Sequence, residues 1–122
     1  ARETRRSSTR RKVPEAARYL DAHVDDRALT LSLVAEAVGS NASYLSRVFS
    51  REMGRSFQEY VYRKRIEAAK RLITSTDDPF HRISTRCGFG SPLSFYRAFR
   101  KLEDCTPKEY RIRSAALVSD ET

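Results

Sequence analysis

Arg47 stands with Ser43, Ser46 and Ser50 at the i, i+3, i+4, i+7 spacing that puts four side chains on one face of a helix. Arg97, 50 residues further on, stands with Leu93, Tyr96 and Arg100 at the same spacing. Small hydroxyls let a helix approach base edges closely, and a guanidinium can bond the O6 and N7 of guanine bidentately. A face of serines around one arginine is poor material for a protein–protein seam, whose anchors are larger and apolar. The plain alternative is a solvated helix face, and the recurrence of arginine at equivalent places argues against it. Other chemistry finds little to work with. Cys87 and Cys105 have no CxxC or histidine partner at metal-ligand spacing, and His23 and His81 are isolated, so no metal and no cofactor is expected. Cys87, beside Gly88, reads as a small core residue. No nucleophile has a partnered base, no carboxylate pair flanks a pocket, and no glycine-rich loop is built for phosphate.

The elements that must carry these faces are all helical. Apolar residues recur three and four apart, and no alternating strand pattern competes. Pro14, a favoured early-helix residue, opens a first helix to about Asp25, with Ala17, Leu20 and Val24 inward. A second spans about Leu31 to Val38 and stops at Gly39; a third runs from about Ala42 to Met53 and stops at Gly54. Ser56 caps a long fourth helix to about Thr74, turning Phe57, Tyr60, Val61, Ile66, Ala69, Leu72 and Ile73 inward. Pro79 begins a fifth that ends at Cys87-Gly88. Ser91-Pro92 opens a sixth to about Glu103, and Thr106-Pro107 a short seventh through Arg113.

The chain also repeats itself. At an offset of 50, Leu45, Arg47, Phe49 and Arg51 match Phe95, Arg97, Phe99 and Lys101. Ser56, Glu59-Tyr60 and Arg63 match Thr106, Glu109-Tyr110 and Arg113. Upstream, Val34, Val38 and Gly39 match Ile83, Cys87 and Gly88 at an offset of 49, so the second copy has one extra residue in its turn. An internal duplication explains these eleven matches, eight at one offset and three at the other. Each copy has a short helix ending at glycine, a tight turn, and a second helix starting at a small polar residue, the grammar of a helix-turn-helix. The short helices are expected to bury Leu33, Val34 and Val38, or Ile83 and Cys87. The following ones bury Leu45, Val48 and Phe49, or Phe95, Phe99 and Leu102.

Composition sets the limits. With 39% hydrophobic and 33% charged residues, the 122-residue chain is neither a membrane protein nor a disordered tail. The net charge is +8, but residues 1–12 hold six basic residues against Glu3, leaving +3 for the rest. Charge alone therefore leaves nucleic-acid binding open. The opening is basic with no apolar stretch behind it, so no export signal is expected in it, and the chain is expected to be a piece of a longer protein. The expected organisation is a basic linker at 1–12, a first helix-turn-helix subdomain with the linking helix at 13–74, a second at 75–114, and a frayed tail at 115–122.

Residues 30–113 resemble the AraC/XylS DNA-binding domain along its whole length. The first half carries Ala35-Glu36-Ala37-Val38-Gly39 and Ser43 to Phe49. The second carries Cys87-Gly88-Phe89, Phe95, Arg97, Phe99-Arg100, Thr106-Pro107 and Tyr110-Arg111, and Arg65-Ile66 and Ala69 lie on the linking helix. The resemblance implies an all-α fold of seven helices, with two homeodomain-like helix-turn-helix subdomains joined by a long central helix. It implies a bacterial transcriptional regulator, cytoplasmic and nucleoid-associated, whose third and sixth helices read adjacent major-groove segments of double-stranded DNA about one turn, roughly 34 Å, apart. The family's base-contacting positions fall on Ser43, Ser46 and Arg47, and on Leu93, Ser94 and Arg97. Candidate backbone contacts are Arg51, Arg55, Arg100 and Lys101, helped by helix N-termini. Leu93 stands where many relatives have a polar base reader, so it meets a thymine methyl or contributes little. Asp104 replaces a usual glycine and tolerates a left-handed turn less well. RNA polymerase is a further candidate partner, an effector-binding N-terminal domain is expected outside this chain, and this piece is expected to be monomeric. The rival readings are a helical protein-interaction module and the DNA-binding part of a larger enzyme.

Overall fold

The computed structural model describes the backbone of residues 2–121 and the side chains of residues 12–117. Seven helices and no strand occur among them: α1 (Arg2–His23), α2 (Leu31–Ala37), α3 (Ala42–Met53), α4 (Phe57–Ser75), α5 (Phe80–Arg86), α6 (Pro92–Glu103) and α7 (Pro107–Glu121). The chain divides into two compact units, one of residues up to Val24 and Ala28–Val61, the other of Asp25–Arg27 and Tyr62 onward. The boundary lies inside α4, which gives its first residues to one unit and the remainder to the other.

In the first unit Val13, Ala16 and Leu20 of α1 pack with Val34, Ala35 and Val38, with Leu45, Val48 and Phe49 of α3, and with Val61. The inward alanine of α1 is thus Ala16, with Ala17 only half-buried. Leu33, expected inside, is 45% exposed. Val34, Ala35 and Val38 already occupy the inward stripe of α2, and Leu33 falls off it. Lys12 donates its ammonium to the Val38 carbonyl, tying α1 to the end of α2. The Phe49 ring meets Tyr60 edge-on at 5.4 Å and Phe57 at 6.1 Å.

The second unit repeats this plan. Ile66, Ala69 and Ile73 of α4 pack with Ile83, Cys87 and Phe89, with Phe95, Ala98 and Phe99 of α6, and with Cys105. Phe99 meets Tyr110 edge-on at 5.6 Å, the counterpart of Phe49 on Tyr60. Two arginines close the unit through backbone carbonyls. Arg65, only 7% exposed, donates to the Asp26 carbonyl at 3.1 Å and lies over the Phe89 ring. Arg111 donates to the carbonyls of Ile73, Thr76 and Asp78, with its guanidinium 4.6 Å from the centre of the Phe80 ring. The segment between α4 and α5 is thereby pinned to α7.

Two helix ends differ from expectation. The backbone of α1 is helical from Arg2, with Pro14 inside it rather than in its first turn. Proline there removes one N–H and one ladder bond, and the arginine- and serine-rich segment before it contains no further breaker. The α7 backbone continues to Glu121, since Ser114-Ala115-Ala116-Leu117 contains neither glycine nor proline to end a helix. The side chains of 1–11 and 118–122, on which the basic linker and frayed tail largely rest, lie outside the described residues.

Candidate nucleic-acid interface

Each unit contains the same turn. In the first, Ser40 N–H reaches back to the Ala35 carbonyl at 2.8 Å, and in the second Phe89 N–H reaches the Ser84 carbonyl at 3.0 Å. Gly39 (φ 71°) and Gly88 (φ 95°) supply the left-handed step after α2 and α5. The second helix of each motif then starts from a capped end. The Asn41 side chain accepts from Tyr44 N–H at 2.8 Å, and Ser91 Oγ accepts from Ser94 N–H at 3.1 Å. The extra residue of the second copy lies here, where Phe89 and Gly90 stand against Ser40 alone. Buried Ser84, opposite Ala35 in the repeat, donates to the Ser91 carbonyl at 3.1 Å and anchors the longer turn.

With Leu45, Val48 and Phe49 buried, α3 turns outward the exposed Ser43 and Arg47, flanked by half-buried Ser46 and Ser50. On α6 the burial of Phe95, Ala98 and Phe99 leaves Leu93, Tyr96, Arg97 and Arg100 outward. Leu93 is 55% exposed and Tyr96 41%. Ser94 does not share that face. It is half-buried, and its hydroxyl accepts a bond from the capping Ser91 hydroxyl at 3.0 Å. Tyr96, aligned with Ser46 by the repeat, takes the outward position, and the helical spacing of 93, 96, 97 and 100 already marks it.

Charge sharpens the distinction. Arg82 and Arg86 pair with Asp78, Arg113 with Glu109, and Lys70 with Glu103 at 2.6 Å, a bond that raises the Lys70 pKa. Burial lowers that of Arg65, partly countered by Tyr62, Asp26 and Asp25. Among the described residues, Arg47 and Arg97 are held in no ion pair, and neither are the exposed Arg51, Arg55 and Lys101. Arg100 donates across a long contact to the Tyr96 hydroxyl at 3.5 Å, and its charge also acts on the Glu109 carboxylate. A pair of exposed, unneutralised guanidinium groups on the second helix of each motif can take anionic or acceptor-rich ligands. No group of three metal-ligating side chains occurs among the described residues.

This architecture defines a helix-turn-helix DNA-binding domain. The helix-turn-helix family matches residues 34–113. An uncharacterised HTH-type transcriptional regulator of Staphylococcus aureus is 38% identical over 100 residues, covering 82% of this chain and 13% of that protein. The C-terminal domain of AraT, a response regulator from Geobacillus stearothermophilus, is 35% identical with a TM-score of 0.80, covering 84% of each chain. A Chromobacterium violaceum transcriptional regulator described as AraC-type is 26% identical with a TM-score of 0.76, covering 89% of this chain and 96% of that one. The chain belongs to the AraC-type helix-turn-helix family, the DNA-binding domains of bacterial transcriptional regulators. It spans about an eighth of the length of the Staphylococcus regulator, 13%.

Proposed function

We propose that this chain reads duplex DNA sequence-specifically with α3 and α6, each laid in the major groove. One observation carries the proposal: an exposed arginine, in no ion pair among the described residues, stands at the same position of the second helix in both motifs. Arg47 reads with Ser43 and Ser46, and Arg97 with Leu93 and Tyr96. Ser94, bound to its cap, sits behind that row. Arg51, Arg55, Arg100 and Lys101 hold phosphates and set register without reading sequence. The chain is a binding module rather than an enzyme. Its site is cytoplasmic, on the nucleoid, and no described helix is long and apolar enough to cross a membrane. The much greater length of the Staphylococcus regulator, and the response regulator to which the AraT domain belongs, favour an effector-sensing domain elsewhere in the full protein. Dimerisation and contact with RNA polymerase belong to that larger protein, and this piece binds as a monomer.

Selection from a randomised duplex library at near-physiological salt tests this. The expected product is a motif of two short blocks about one helical turn apart. A single block would make one motif a backbone anchor. Absence of enrichment together with salt-sensitive binding to an acidic polypeptide would favour a protein-interaction module.

A further inference from the structure

The two proposed reading helices present different chemistry. On α3 the arginine is surrounded by hydroxyls; on α6 it is surrounded by Leu93 and Tyr96, both well exposed. Beside them opens an apolar groove of about 590 Å3 lined by Phe80, Pro92, Leu93, Phe95, Tyr96 and Pro107. The Arg100 guanidinium lies 3.5 Å from the Tyr96 hydroxyl at the edge of this face. An exposed leucine and tyrosine on one helix face want an apolar partner, whereas Arg97 beside them wants acceptors. A surface that suits all three must offer an apolar group and hydrogen-bond acceptors side by side.

The major groove offers both partners together. The C5 methyl of thymine is the one apolar group on its base edges, and guanine supplies O6 and N7 to an arginine. Leucine offers no hydrogen bond to any base edge, and only thymine carries a methyl there, so the methyl is the feature this side chain distinguishes. We propose that the Leu93–Tyr96 face of α6 reads thymine through its C5 methyl groups, so that the two motifs recognise their half-sites by different means. This rests on the DNA-reading role proposed above.

The test uses the 122-residue chain and its library-selected duplex. Each thymine in the two blocks is replaced singly by deoxyuridine, which deletes the methyl and keeps the pairing. In the α6 block, affinity should fall about fourfold per contacted methyl. In the α3 block it should not change. Leu93→Ala, a surface change whose folding is checked by circular dichroism, should weaken binding to the thymine duplex and bind its deoxyuridine counterpart equally well. The proposal is overturned by an α6 block lacking thymine, by full affinity for every deoxyuridine duplex, or by a Leu93→Ala protein that still discriminates. Failure to enrich any duplex removes the DNA-reading role itself, which is distinct from enrichment with indifference to the methyl.

Discussion

Arginines in this chain do two kinds of work, and their partners tell them apart. Arg65 and Arg111 spend their donors on backbone carbonyls, while Arg47 and Arg97 face solvent without an ion pair among the described residues. Arg47→Ala or Arg97→Ala should therefore leave the melting temperature unchanged, cost ~1–3 kcal/mol of specific binding and relax preference at one base pair. Binding measured on single-base variants of the site separates this from a phosphate contact, which would weaken all sequences alike. Asp104 supplies a second test. It adopts φ 61° where Gly54, its partner in the repeat, adopts φ 72°. The left-handed turn thus forms with aspartate, at a conformational cost that glycine avoids. Asp104→Gly should stabilise the fold by about 0.5–1 kcal/mol. Gly54→Ala, whose added methyl meets nothing within 4 Å, should cost ~1–2 kcal/mol through backbone strain alone. Urea denaturation reads both.

At the scale of elements, the start of α7 is a reciprocal cap. Thr106 Oγ1 accepts from Glu109 N–H at 3.1 Å, and the Glu109 carboxylate accepts from Thr106 N–H at 3.2 Å. Hydrogen bonding to the carboxylate by the Thr106 N–H, and then by its side chain, lowers the Glu109 pKa. A depressed pKa means the carboxylate stabilises the fold above its unfolded-state pKa and loses that contribution as pH falls through the folded value. The melting temperature of wild type should exceed that of Glu109→Ala at neutral pH, and the gap should close on acidification. Caps and stops of this kind are why α3 and α6 were legible from Gly54 and Ser91-Pro92 alone. Pro14 misled because a proline fits either a first turn or an interior that gives up one bond. Ala16 and Ala17 carry too little hydrophobic contrast to fix the phase of α1. The roles of Arg65 and Arg111 were invisible for another reason: their acceptors lie 33 to 39 residues away in sequence, on carbonyls that any residue type provides. On α6 the outward face was readable from spacing, and the half-buried Ser94 entered only by analogy with relatives.

For the molecule as a whole, the net charge of +8 is concentrated in the first twelve positions. Since α1 runs through them, they extend a helix rather than a free tail. Replacing Arg2, Arg5, Arg6, Arg10 and Arg11 with glutamine should weaken DNA binding uniformly and flatten its salt dependence by about 0.9 in log–log slope for each phosphate no longer neutralised. An unchanged slope would assign those arginines to solvent. Finally, the chain's two thiols are distributed unequally. Cys87 and Cys105 are both buried, both reduced and both in the second unit, and burial pushes the Cys87 thiol up to about 11. A thiol-reactive dye therefore labels only molecules whose second unit has opened and is blind to the first. Its reaction rate becomes a clock for the breathing of one half of the protein. If α6 engages DNA, the cognate duplex should slow that clock.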